Sequence, residues 1–193
     1  MSRELAFTWA LALMPLILAH EYAHAWASAC CGYAPRRVSV GFGRVVARVG
    51  LIELRWLILG GSCETDVFVR GSPAQQALVA VAGPAANLVC AAVLAFAPAP
   101  LSHAAWLSAG MAVANLLPFP PLDGGRVLVA ALRAAGVAPR AVRWVQDAGL
   151  AVVAGLHAAV LGVPLGGEWP AWMAAAGAAG AAVALVRGKK KRG

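Results

Sequence analysis

The chain has 193 residues, of which 61% are hydrophobic and only 12% charged, and its formal net charge is +8. Soluble domains carry roughly a quarter charged residues, so this composition excludes an ordinary soluble enzyme and points to one membrane domain with no room for a large soluble module. The positive charge marks no nucleic-acid partner, because the basic residues flank apolar stretches and form no patch interleaved with aromatics.

The first apolar stretch runs from about Leu5 to Ala29, and Glu21 is the only charged residue between Glu4 and Arg36. A helix of about 20 residues crosses a hydrocarbon core of about 30 Å. We read this stretch as an uncleaved span, since its apolar run is longer than that of a leader. Residues 36–70 differ. They are rich in β-branched residues, alternate roughly over Leu51–Ile58, and are punctuated by Gly41, Gly43, Gly50, Gly60 and Gly61, which predicts two or three short strands. A second span covers about Pro73–Ala97, with Pro73 suited to a helix start. A third begins near Leu101, breaks at Pro118, Pro120 and Pro121, and resumes as a helix after Asp123. The fourth and fifth cover about Trp144–Val163 and Trp169–Val186. The expected fold class is an all-α polytopic membrane protein of about five transmembrane helices with a small membrane-associated β-hairpin. It is read as a single domain over 1–193: a core at 5–135, two further helices within 144–187, and a basic tail at 188–193.

Basic residues set the orientation. With the N-terminus outside, 15 of the 16 Lys and Arg fall on inner loops or the C-terminal tail, leaving Arg3 outside, as the positive-inside rule requires. Cys30, Cys31, Cys63 and Cys90 show no CxxC spacing and read as small apolar residues kept reduced.

Chemistry concentrates in the first span, at His20-Glu21-Tyr22-Ala23-His24. Positions i and i+4 share a helix face, so both imidazoles can bind one zinc ion, and Glu21 beside them can act as general base. A catalytic zinc takes three protein ligands and keeps one position open. An acid within a span is costly, so Glu21 calls for a partner there. The third ligand should be another polar residue in a span. Asp123 stands in Asn115-Leu-Leu-Pro118-Phe-Pro120-Pro121-Leu-Asp123-Gly124-Gly125. Alone, it reads equally as a helix cap or a ligand; an HExxH in the same domain favours ligand. His103 and His157 read as non-ligands.

HEYAH together with NLLPFPPLDGG resembles the site-2 protease family of intramembrane zinc metalloproteases. The resemblance covers roughly residues 10–135. It implies zinc ligands at His20, His24 and Asp123 and a catalytic glutamate at Glu21. It implies that Asn115 holds substrate backbone or the developing oxyanion, a task suited to an amide donor. Ala82-Gly83-Pro84-Ala85-Ala86-Asn87 is similar to the family's second-span GPxxN element, so Asn87 either contacts substrate near the site or joins helices. Gly41-Phe42-Gly43 and Leu59-Gly60-Gly61 resemble the family's hairpin region, placing Gly41 and Gly43 where an unwound substrate strand pairs with a sheet edge.

The expected function is therefore regulated intramembrane proteolysis of a transmembrane protein substrate in the lipid bilayer, in a bacterial plasma membrane, with one zinc ion. The sequence leaves the oligomeric state open. The competing class is a non-catalytic metal-binding membrane protein, a pseudoprotease or metal transporter. A transporter would distribute polar residues over several spans, and a pseudoprotease has no need of Glu21. A membrane diiron oxidase would need more than four histidines.

Overall fold

The computed structural model describes residues 3–160, with side chains described for residues 11–150 other than residue 59. Of the described residues, 3–153 form one compact unit. The first apolar stretch is a 28-residue helix, α1 (Arg3–Cys30). It leads into two antiparallel strands, β1 (Arg37–Val49) and β2 (Ile52–Glu64). A single turn, α2 (Val67–Arg70), precedes α3 (Pro73–Ala95), α4 (His103–Asn115), α5 (Asp123–Ala134) and α6 (Pro139–Val160).

The first two predicted stretches coincide with α1 and α3, the third with α4 and α5, and the start of the fourth falls within α6, for local reasons. Ser72 caps α3 by accepting from the Gln75 backbone N–H while the Gln75 side chain accepts from Ser72 N–H, and Pro73 follows at the first helical position, where its missing donor costs nothing. The third span is two short helices, α4 and α5, separated by the proline-rich segment. Among the described residues, Pro73–Ala95 is the one helix long and apolar enough to cross a membrane. α4 and α5, at 13 and 12 residues, are each shorter than a membrane span requires. The predicted fifth span, and the end of the fourth, lie outside the described residues.

The predicted short strands are instead two 13-residue strands. Their pairing is unusual. Val38, Ser39 and Val40 pair with Cys63, Ser62 and Gly61 on one side and with Ile52, Glu53 and Leu54 on the other, and the latter three also pair near Val49, Arg48 and Ala47. In cross-section the sheet therefore runs 61–63, 38–40, 52–54, 47–49. The bend falls at Gly41 and Gly43, with φ of +93° and +81°, a region of backbone space that only glycine enters freely.

The root of the hairpin packs on α1 through Ala25, Val38 and Cys63, while Ala27, Val67 and Val79 join α1 to α2 and α3. The inward face of α3 carries Gln76, Val79, Ala80, Gly83, Pro84 and Asn87, spaced as one helical stripe. Its outward residues, Leu78, Val81, Leu88, Val89 and Val93, are exposed. Two buried amides inside and five exposed aliphatics outside make a surface that water penalises and hydrocarbon does not.

Candidate metal centre

His20 and His24 lie one turn apart on α1, and Asp123 is the first residue of α5. All three are buried. His20 Nε2 stands 3.0 Å from Asp123 Oδ2, His24 Nε2 stands 3.2 Å from the same oxygen, and the two ring nitrogens are 3.1 Å apart. Asp123 does not cap α5: the cap position is Leu122, in extended backbone. Its place in the first helical turn puts an anion at the positive end of the helix dipole. Gly124 and Gly125 allow this turn to pack directly on the preceding segment, since a methyl on Gly125 would lie 2.6 Å from Pro120 Cα.

The donor chemistry tests whether a cation fits. His24 Nδ1–H donates to the Val79 carbonyl at 2.7 Å, which leaves the neutral ring with a lone pair, not a proton, on Nε2. That lone pair faces Asp123 Oδ2 and His20 Nε2, so it cannot donate to the carboxylate. The separations of 3.0–3.2 Å are close to the edge of about 3.3 Å expected for a tetrahedron with zinc–ligand bonds of about 2.0 Å. The three side chains fit a zinc ion on both counts. Among the described residues this is the one trio of His, Cys, Asp or Glu so arranged.

Glu21 is buried beside the trio and packs on the backbone of β2. A methyl on Gly61 would lie 2.6 Å from Glu21 Cγ and 2.8 Å from Oε1. Asn115 ends α4, half-buried, and its amide donates to the Met111 carbonyl at 3.0 Å. Asn87 is wholly buried on α3. Gly41 and Gly43 lie against β2 itself. A methyl on Gly41 would meet the Leu57 carbonyl oxygen at 2.7 Å, and one on Gly43 would strike the Trp56 indole. The structure thus joins His20, Glu21, His24 and Asp123 in one place, and gives Gly41 and Gly43 a task within the hairpin.

Four contributors escaped sequence reasoning. Gly83 lets α3 approach the ligands: a methyl there would lie 2.6 Å from His20 Nε2 and would overlap His24 Nε2. Its signal was a glycine inside an apolar helix, beside the proline of GPxxN. Val79 acts through a carbonyl, which no side-chain pattern reveals. Gly61 was legible as turn punctuation and as part of the hairpin resemblance, not as a neighbour of Glu21. Arg126 donates to Asp123 Oδ1 at 3.4 Å and lies 4.6 Å over the Phe68 ring, so the two oxygens of Asp123 serve different partners. Its i+3 spacing from Asp123 was the available signal. An apolar groove of about 620 Å³ between α1, α3 and the start of α4 is lined by Leu11, Pro15, Val93 and Leu101 among others, and by none of these polar residues.

A helix-borne HExxH closed by an aspartate at the start of a second helix defines a metallopeptidase-type centre in a helical scaffold. The model of peptidase family M50 matches residues 8–99 and 95–156. The chain belongs to that family, the site-2 protease family. It is 28% identical over 111 residues to the regulator of sigma E protease of Haemophilus influenzae, covering 45% of this chain and 25% of that one. It is also 28% identical over 116 residues to a Pasteurella multocida protein that carries zinc metalloprotease in its name, covering 48% and 26%. The chain therefore spans about a quarter of the length of these curated relatives. Its fold is similar to that of the site-2 protease from Methanocaldococcus jannaschii, with a TM-score of 0.53, 19% identity, and coverage of 79% of this chain and 68% of the other.

Proposed function

We propose that this protein is a zinc-dependent intramembrane endopeptidase that cleaves other proteins within or beside their transmembrane segments. The observation that carries the reading is the convergence of His20 Nε2, His24 Nε2 and Asp123 Oδ2 within 3.2 Å of one another, with Glu21 buried alongside. A zinc ion held by those three atoms supplies Lewis acidity toward a carbonyl oxygen and lowers the pKa of water to about 7. Glu21 takes the proton of the attacking water and passes it to the departing amide nitrogen. Asn115, on releasing Met111, offers its amide protons to the developing oxyanion. The substrate backbone, unwound so that its amides are open to attack, pairs along segment 61–63, one of the two outer edges of the sheet and the one whose Gly61 lies against Glu21.

The apolar outward face of α3 supports a membrane context, and the distribution of basic residues supports an outer N-terminus and a cytoplasmic C-terminus, which in this reading is that of a bacterial plasma-membrane protein. The natural product would be a fragment released to the cytoplasmic side.

The test is reconstitution in vesicles with a model single-span substrate and analysis of bound metal. Wild-type protein is expected to hold one zinc per chain and to cleave. Glu21→Gln is expected to hold the same zinc and lose about 10²–10⁴ in rate, the usual contribution of a general base. Undiminished cleavage by Glu21→Gln would overturn its role. Zinc without cleavage in the wild type would favour the non-catalytic metal-binding class.

A further inference from the structure

Among the described residues, three buried side-chain polar atoms have no hydrogen-bond partner: His20 Nδ1, Asn87 Oδ1 and Asn87 Nδ2. They are complementary. A neutral imidazole that offers Nε2 as a lone pair must carry its proton on Nδ1, and that proton needs an acceptor. The Asn87 amide oxygen is an acceptor that needs a donor. Asn87 is fully buried, with 0% of its surface exposed. An orphaned amide in such a place calls for an explanation.

The two residues stand on neighbouring turns of facing helices. α1 and α3 run antiparallel: the Gln75 side chain reaches the Cys31 carbonyl, His24 Nδ1 reaches Val79, and the rings of both histidines lie against Gly83. His24 already has its acceptor in Val79. Four residues back along α1 stands His20, and four residues on along α3 stands Gly83. Because Gly83 has no side chain, the His20 ring sits directly on α3. One further turn along the same buried stripe is Asn87. Side chains of a helix lean toward its N-terminus, which on α1 is the direction of Asn87. The Asn87 carbonyl accepts from Ser108 Oγ at 2.7 Å, which ties this turn of α3 to α4 and leaves the side chain uncommitted.

We propose that Asn87 is a positioning residue for the metal centre: its amide oxygen accepts the Nδ1 proton of His20, directly or through one water. It thereby holds the ring with its Nε2 lone pair toward Asp123 and His24. Val79 does this for His24 with a backbone carbonyl; Asn87 does it for His20 with a side chain. The role rests on the metal-site reading above, and differs from substrate contact or simple helix packing.

The experiment compares zinc affinity, by competition with a chelator, in wild type, Asn87→Leu and Asn87→Asp. Leucine keeps the volume and removes the acceptor; aspartate keeps the acceptor. Asn87→Leu should bind zinc about 10–100-fold more weakly, the usual cost of losing a ligand's outer partner. Asn87→Asp should retain wild-type affinity. Apo-protein melting temperatures report any purely structural effect. In the zinc-loaded wild type, nitrogen-15 histidine spectra should show a proton on His20 Nδ1 with a nuclear Overhauser contact to the Asn87 amide or to a water shared with it. That measurement decides the matter even if a variant fails to fold. Equal affinity in wild type and Asn87→Leu, equal losses in both variants, or a His20 Nδ1 proton in contact only with other groups would overturn the role of Asn87. A wild type that takes up no zinc would instead overturn the metal-site reading itself.

Discussion

Two buried carboxylates in this protein are satisfied in opposite ways. Glu53, in the middle of the hairpin and 2% exposed, is surrounded by donors: Arg48 bonds Oε1, Arg55 bonds Oε2 at 2.9 Å, and Arg37 Nε lies 3.4 Å away. Asp123, 4% exposed, faces two imidazole nitrogens, one of which has its proton committed elsewhere. The first cluster is saturated with N–H groups and is complete as it stands. The second brings lone pairs to a point and is short of positive charge. A structural ion cluster and a metal centre are both buried and polar; what separates them is the direction of the protons.

The comparison can be broken most forcefully at Asp123. Asp123→Asn should weaken zinc binding by more than about 100-fold, beyond what loss of an outer partner costs, as read by chelator competition; an unchanged affinity would remove Asp123 from the ligand set. Gly83→Ala should come next. Its methyl would press on both histidine rings, and overpacking of this kind costs about 1–3 kcal/mol. Thermal melting should show that loss in the zinc-loaded protein, together with weaker zinc retention.

The hairpin cluster gives the smallest and most selective effect. Burial works to raise the Glu53 carboxyl, but hydrogen bonds from Arg48 and Arg55, with Arg37 close by, outweigh it and hold the group below the ordinary value of 4.5. A lowered folded pKa means that the stabilisation is complete above that ordinary value and is lost as pH falls through the folded one. Amide protection factors in residues 47–54 should therefore be high at neutral pH and fall selectively under acid. Glu53→Gln should remove the pH dependence while leaving zinc affinity untouched. A hairpin equally protected at both pH values would show that the cluster does not hold it together.

Much of this was legible in the sequence because it was written in local spacing. The i, i+4 histidines of α1, the Pro73 start of α3 and the proline break before Asp123 each depend on a few neighbouring residues, and each appears at its expected place. Whether Asp123 capped a helix or faced the histidines could not be read locally; the answer came from 103 residues away in the chain. The hairpin was anticipated as shorter strands because its glycines looked like breaks. Gly41 and Gly43 are bends within one continuous strand, which only the cross-strand register reveals. Glu53 sat in an alternating pattern that marks a strand and names no partner. Gly83 and Val79 act by closeness and by a carbonyl, properties that residue type does not encode.

The wide separation of the ligands in the chain bears on how the molecule matures. His20 and His24 are made early and Asp123 103 residues after the first of them, so no ion could meet its full set of donors until α3, α4 and the start of α5 have been made. Any loading of the site would therefore follow the making of Asp123. An ion that arrives then closes a very long loop, and its binding energy becomes stability for everything the loop encloses. A chain that ends before α5 would carry the two imidazoles without the carboxylate that completes the trio.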